Sequence, residues 1–276
     1  MCNQGQKQRF WLIASILLIA IFLNAGCSSS NSPVTNNTLR PAPATDRGSE
    51  IIAEYLKRDA SPYRKDRVRF TVTEEDGKAE STEVDVWRKQ ADGFTTTLSL
   101  IAKPADEAGT GSLVVEEKDR PAVSVTYAAS RDEFRETDTG KMFFGGLTIQ
   151  ELLGEWNKYD YKFIGERDVA GGKQWEVEGT LKPGQRSVVA RSRIFFDTNT
   201  YLPVELRLSD TSGKELRVYS GAQIKTSGNR SYVAKIQADN RVYNSKTTIE
   251  VVSREYPEKL DDAIFTRERL KASAPK

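Results

Sequence analysis

From Val68 to Val251 the apolar residues of this chain recur at alternate positions, and that period belongs to strands with one buried face. Val68, Phe70 and Val72 alternate with Arg and Thr. Val84 and Val86, Phe94, Leu98 and Leu100, Leu113 and Val115, then Val123, Val125 and Tyr127 keep the rhythm. Tyr161 and Phe163, Trp175 and Val177, Val188 to Phe196, Leu202 to Leu208, Leu216 and Val218, Tyr232 to Ile236 and Ile249 to Val251 extend it. Asp76-Gly77, Asp92-Gly93, Gly109 to Gly111 and Asp119 to Pro121 break the early runs at hairpin spacing, because glycine accepts the positive φ of a tight turn. The pattern predicts a long antiparallel meander.

Two segments carry a helical period instead. Ile51, Ile52, Tyr55 and Leu56 fall on one face between Ser49 and Arg58, with Thr45 or Asp46 as cap and Pro62 as stop. Thr148 followed by Glu151 is a capping box, and Ile149, Leu152, Leu153 and Trp156 form the apolar stripe of a second helix running to about Lys158. Asp261 to Phe265 and Arg267 to Leu270 read as a short terminal helix or turn, capped by its acids. A dozen twisted strands cannot stay flat. The predicted fold is therefore mainly β (α+β): a curved, half-open antiparallel barrel over residues 45–276, with the N-terminal helix and the inserted helix plugging its concave face. Residues that fill a core can equally line a cavity on that face. The candidates are Phe70, Val86, Phe94, Leu98, Leu100, Val125, Tyr127 and Trp175. Phe195 and Phe196 are adjacent, so one of them must face outward.

The first residues have another character. Lys7 and Arg9, the 14 residues Phe10 to Leu23, and then Ala25-Gly26-Cys27 read as a lipoprotein signal, with Asn24 where Leu, Ala, Ser or Val is usual. The run is shorter than the about 20 apolar residues of a membrane-crossing helix. Residues 1–26 are thus expected to be removed and Cys27 to carry lipid. Ser28, rather than Asp, resembles the residue that sends such proteins to the outer membrane. Ser28 to Ala44 is rich in Ser, Asn, Thr and Pro and too poor in apolar surface to fold, so 27–44 is expected to be a tether.

Charge and composition exclude several function classes. Against 39 Asp and Glu, the 41 Lys and Arg fall to 39 once Lys7 and Arg9 leave, and a neutral chain is a poor nucleic-acid binder. With no histidine, triads and His-based metal sites cannot be built. Cys2 leaves with the signal and Cys27 is used for lipid, so no disulfide remains. The acids alternate with Lys and Arg as on a solvated face, and no cofactor or metal motif is present. The expected protein is not an enzyme.

Several segments resemble, in order and spacing, the outer membrane lipoprotein-sorting proteins, the LolA-like and LolB-like carriers. They are Lys103-Pro104 to Leu113, Phe134-Arg135-Glu136 with Met142 to Leu152, Tyr201-Leu202-Pro203-Val204, Gly213 to Leu216, Thr247 to Val251 and Leu260 to Thr266. Two stretches depart from the family pattern: Val125 to Ala129, where Trp-x-Tyr-Leu-Pro is frequent, and Tyr232-Val233-Ala234, where Trp-x-Pro is usual. The resemblance implies an incomplete barrel whose cavity holds acyl chains of lipoproteins or other lipids, in a protein held at the outer membrane, facing the periplasm, by lipidated Cys27. A lipid-anchored sensor that recognises an envelope protein partner is the alternative.

Overall fold

The computed structural model describes residues 46–272, apart from 92, 118–119, 121, 138–141, 144–145, 149–150 and 152–155. The signal, Cys27, the tether and most of the expected second helix lie outside the described residues. Ala44–Lys276 forms one compact unit.

That unit opens with α1 (Arg47–Asp59), capped by Asp46, whose carboxylate accepts from the Gly48 amide at 2.7 Å. Six strands follow: β1 (Tyr63–Thr73), β2 (Ala79–Ala91), β3 (Phe94–Lys103), β4 (Gly111–Glu117), β5 (Val123–Ala128) and β6 (Glu133–Thr137). Two-residue strands β7 (Met142–Phe143) and β8 (Leu147–Thr148) pair with each other. A 3-10 turn at Trp156–Lys158 leads into β9 (Tyr159–Val169), β10 (Gly172–Leu181), β11 (Arg191–Asp197), β12 (Pro203–Ser209), β13 (Glu215–Ser227), β14 (Arg230–Asn240) and β15 (Ser245–Glu255). A 3-10 turn at Asp262–Phe265, capped by Asp261 through the Ala263 amide at 3.0 Å, and α2 (Arg267–Ala272) close the chain.

Thirteen strands make one sheet in the order β6-β5-β4-β3-β2-β1-β15-β14-β13-β12-β11-β10-β9. Every neighbour pair is consecutive in sequence except β1 with β15, which joins the two meanders. β6 and β9 remain as separate edges, so the curved sheet is a half-open barrel, as the alternation predicts. Two expectations shift. The strand read from Val188 begins only at Arg191, and Glu133–Thr137, whose apolar content is the single Phe134, is an edge strand.

Three apolar clusters hold the unit together. On the concave face Val68, Phe70, Val84, Leu208, Tyr219 and Ala238 pack with Val189 and with Leu147 of β8. Ile51 and Ile52 of α1 pack on Val177, Ile194 and Phe196. The third cluster joins Leu98, Leu100 and Tyr127 to Leu270 of α2, flanked by Trp87, Leu113 and Phe134. Among the described residues all three are built wholly within the unit, which is the ground for expecting it to fold without the segment before it. Of the adjacent pair, Phe196 faces α1 and Phe195 faces outward, yet Phe195 is only 3% exposed. The Arg167 guanidinium lies 3.7 Å above its ring and covers it.

Beneath the end of α1 sits a buried ionic cluster. Asp66 receives Arg254 in a fork at 2.7 and 2.9 Å, and Asp59 receives Arg88 at 3.1 Å and Arg64 at 3.4 Å. It fastens the helix to the sheet.

Candidate functional site

Pairing register sorts the candidate residues by face, because side chains directly across a ladder share one. Val68 pairs Val84, Asp66 pairs Val86, and Val86 pairs Ser99, so Phe70, Val84 and Val86 look into the concave side. Leu98 pairs Trp87 and Leu113, Leu113 pairs Val125, and Tyr127 pairs Phe134. That row belongs to the opposite face. Leu98, Leu100, Val125 and Tyr127 are thus placed on the outer face, where α2 covers Leu98, Leu100 and Tyr127. Phe94 points the same way at the strand end and is 43% exposed. Trp175 packs edge-on against Tyr201 at 4.8 Å and donates its indole N–H to Glu166 at 3.2 Å. Of the eight candidates, Phe70 and Val86 alone adjoin the concave cluster that Leu147 closes.

The enclosed space on the concave side lies further along, over β9 to β13. A cavity of about 80 Å³ is bounded by Trp156, Tyr161, Ile194, Leu206, Leu208 and Tyr219, roofed by Thr148 and Glu151, and bordered by Ser187, Val188 and Val189. The alternation of β9, β11 and β12 contains Tyr161, Ile194, Leu206 and Leu208, and the resemblance did not single them out. Burial holds the Tyr161 and Tyr219 hydroxyls protonated, far above the ordinary tyrosine range. The wall is therefore uncharged except at its roof. A larger depression of about 610 Å³, between Glu74, Glu75, Asp76 and Tyr243, is open and acidic and does not suit an apolar guest.

The roof is locked by a buried polar constellation. The Thr148 amide donates to Glu151 Oε2 at 2.8 Å, and the Glu151 amide donates to Thr148 Oγ1 at 3.1 Å, which is the reciprocal capping box the sequence predicts. Arg217 of β13 donates to the same Glu151 oxygen at 2.7 Å and to the Gly146 carbonyl at 2.6 Å. Burial lifts the Glu151 carboxyl above the ordinary carboxylate range, opposed by Arg217 and by the Thr148 amide. Gly146 has φ +82°, and a Cβ there would lie 2.5 Å from Asn240 Nδ2, so the close approach needs glycine. Arg217 Nε, buried here, finds no hydrogen-bond partner among the described residues. Arg217 gave no signal in the sequence, since its strand neighbours alternate like any others.

Among the described residues no group of His, Cys, Asp and Glu could hold a metal, and no helix is long and apolar enough to cross a membrane.

A half-open antiparallel barrel with a covered apolar concave side is a LolA-like fold. Among solved structures the chain is similar to a DUF1329 family protein from Desulfovibrio piger, at 19% identity and TM-score 0.77 over 82% of this chain and 100% of that one. It is also similar to an outer membrane lipoprotein-sorting protein domain from Vibrio parahaemolyticus, at 15% identity and TM-score 0.75 over 82% and 98%. A LolA superfamily protein from Nitrosomonas europaea aligns at 13% identity and TM-score 0.64 over 80% and 98%. These likenesses establish the fold. The sequence matches no curated protein. A family described as "-like: Uncharacterized protein" matches residues 93–272, and the chain belongs to that family.

Proposed function

We propose that this is a non-enzymatic envelope protein that binds acyl chains of lipoproteins or other lipids on the concave face of its half-barrel, held to the outer membrane by lipid on Cys27. The observation that carries the reading is the cavity between the sheet and the segment around Thr148 and Glu151, apolar along its walls and uncharged below its roof. The fold shared with a lipoprotein-sorting domain supports it. No group in the wall is set up as a nucleophile with its base: Glu151 is tied to Arg217 and Thr148, and the Tyr159 hydroxyl is turned to Ser187 and the Val189 carbonyl. At about 80 Å³ the space is far below the roughly 300–1,000 Å³ of ligand pockets, so a long chain enters by displacing its roof.

Titration of residues 44–276 with a fluorescent fatty-acyl probe tests the binding, with saturable, stoichiometric binding expected. A protein that binds no probe, including after partial loosening of the roof by R217K, would overturn the reading. Anchoring is tested separately in the full chain, where C27S is expected to move the protein out of the lipid-modified membrane fraction.

A further inference from the structure

The cavity is bordered by a segment whose charge differs from the rest of the neutral unit. Residues 182–193 hold Lys182, Arg186, Arg191 and Arg193 and no acid. Arg193 is paired with Glu176, whereas Lys182 donates to the Asn157 carbonyl at 2.8 Å and forms no ion pair among the described residues. Arg186 and Arg191 are exposed and form no ion pair among the described residues. Three acids border it. Asp210 is occupied within its own turn, accepting from Ser212 and the Lys214 amide; Glu178 stands opposite Arg193 on β10; and Asp160 lies one strand beyond Thr180, the residue opposite Arg191. Between the arginines Val188 is 69% exposed, the most exposed large apolar side chain among the described residues, whereas Val189 beside it is buried in the concave cluster.

We propose that residues 182–191 dock on an anionic phospholipid bilayer, with Val188 entering the headgroup layer and Lys182, Arg186 and Arg191 meeting the phosphates. The argument is charge complementarity around an apolar tip. A cation near an anionic membrane gains roughly fivefold in partitioning, and three of them gain about a hundredfold. An acidic protein segment would use the arginines but give no burial to Val188; a bilayer satisfies both. Because Ser187, Val188 and Val189 also border the cavity, the docked segment sets that wall of the cavity against the lipid. The inference concerns the outer surface and stands whether or not the cavity holds an acyl chain.

The test is co-sedimentation of residues 44–276 with vesicles of phosphatidylglycerol mixed with phosphatidylcholine, and with phosphatidylcholine alone. Binding is expected to the anionic vesicles only, weakening as salt rises. R186E/R191E should lower the partition coefficient at least 25-fold, and V188S severalfold, with unchanged thermal melting because all three side chains are exposed. Equal binding to both vesicle types, no binding, or anionic binding untouched by these variants would each overturn the proposal. So would capture of a polyglutamate peptide by a protein that ignores the vesicles, which would assign the loop to an acidic protein segment.

Discussion

Arg217 and Glu151 meet at 2.7 Å from opposite sides of the cavity roof, with side chains 6% and 7% exposed. Two charges this deep are held less by attraction than by the cost of separating them. Removing one partner of a buried pair typically costs about 3–5 kcal/mol, because the other is left charged and unsolvated. R217M should therefore destabilise the unit by about that amount, and R217M/E151Q by clearly less. Denaturant unfolding of the two variants checks this, and equal losses would show the pair to be uncoupled.

The ionic cluster under α1 gives a prediction in pH. Burial acts to raise the Asp59 carboxyl, but Arg64, Arg88 and Arg254 outweigh it and hold the group below its ordinary value of 3.8. The folded state then binds fewer protons than the unfolded chain, so the contribution is complete above about pH 4 and disappears as pH falls through the lowered value. D59N should be less stable at neutral pH and show a shallower acid limb than the wild type. Parallel acid limbs in a pH series of unfolding free energies would refute the assignment.

Opposite faces predict opposite phenotypes. Leu98 is fully buried beneath α2, so L98A should cost about 2–5 kcal/mol while leaving acyl-probe affinity per folded molecule unchanged. Leu206 borders the cavity, so L206A should alter probe affinity as well as stability. Melting and titration on the same samples separate the two, and a probe defect in L98A would place the ligand on the outer face.

Gly111 begins β4 where a Cβ would lie 2.2 Å from the Ser99 carbonyl oxygen and 2.6 Å from Leu100 Cδ2. Since a backbone oxygen cannot swing aside, G111A is expected to cost roughly 1–3 kcal/mol. A melting temperature equal to wild type would show that β3 and β4 part easily at this end.

Most of the sheet was legible in the sequence because its longer strands keep one apolar face over five or more residues, whereas β6 with Phe134 alone was not; the Thr148–Glu151 box was legible because it is local. The assignment of faces was not. Around β2 to β5 both sides of the sheet are covered, the concave side by Leu147 and the outer side by Leu270, so alternation marks a buried face without saying which. Register shifts, such as that between Glu83 and Val84 against β3, reverse the parity from strand to strand and leave no residue signature. Val188 was misread as strand for a related reason. An apolar residue next to an apolar strand resembles its continuation until the backbone is seen to turn away.

The Asp46 carboxylate caps α1 and also accepts from the Phe163 amide at 2.7 Å, at the edge of β9 where Ser49 Oγ donates to the Tyr161 carbonyl at 3.5 Å. The start of α1 thus covers an edge that would be open to another strand. Asp46 is also the first described residue, so a pull from the N-terminal side would load these two hydrogen bonds first. A pull that broke them would part the start of α1 from the edge of the sheet.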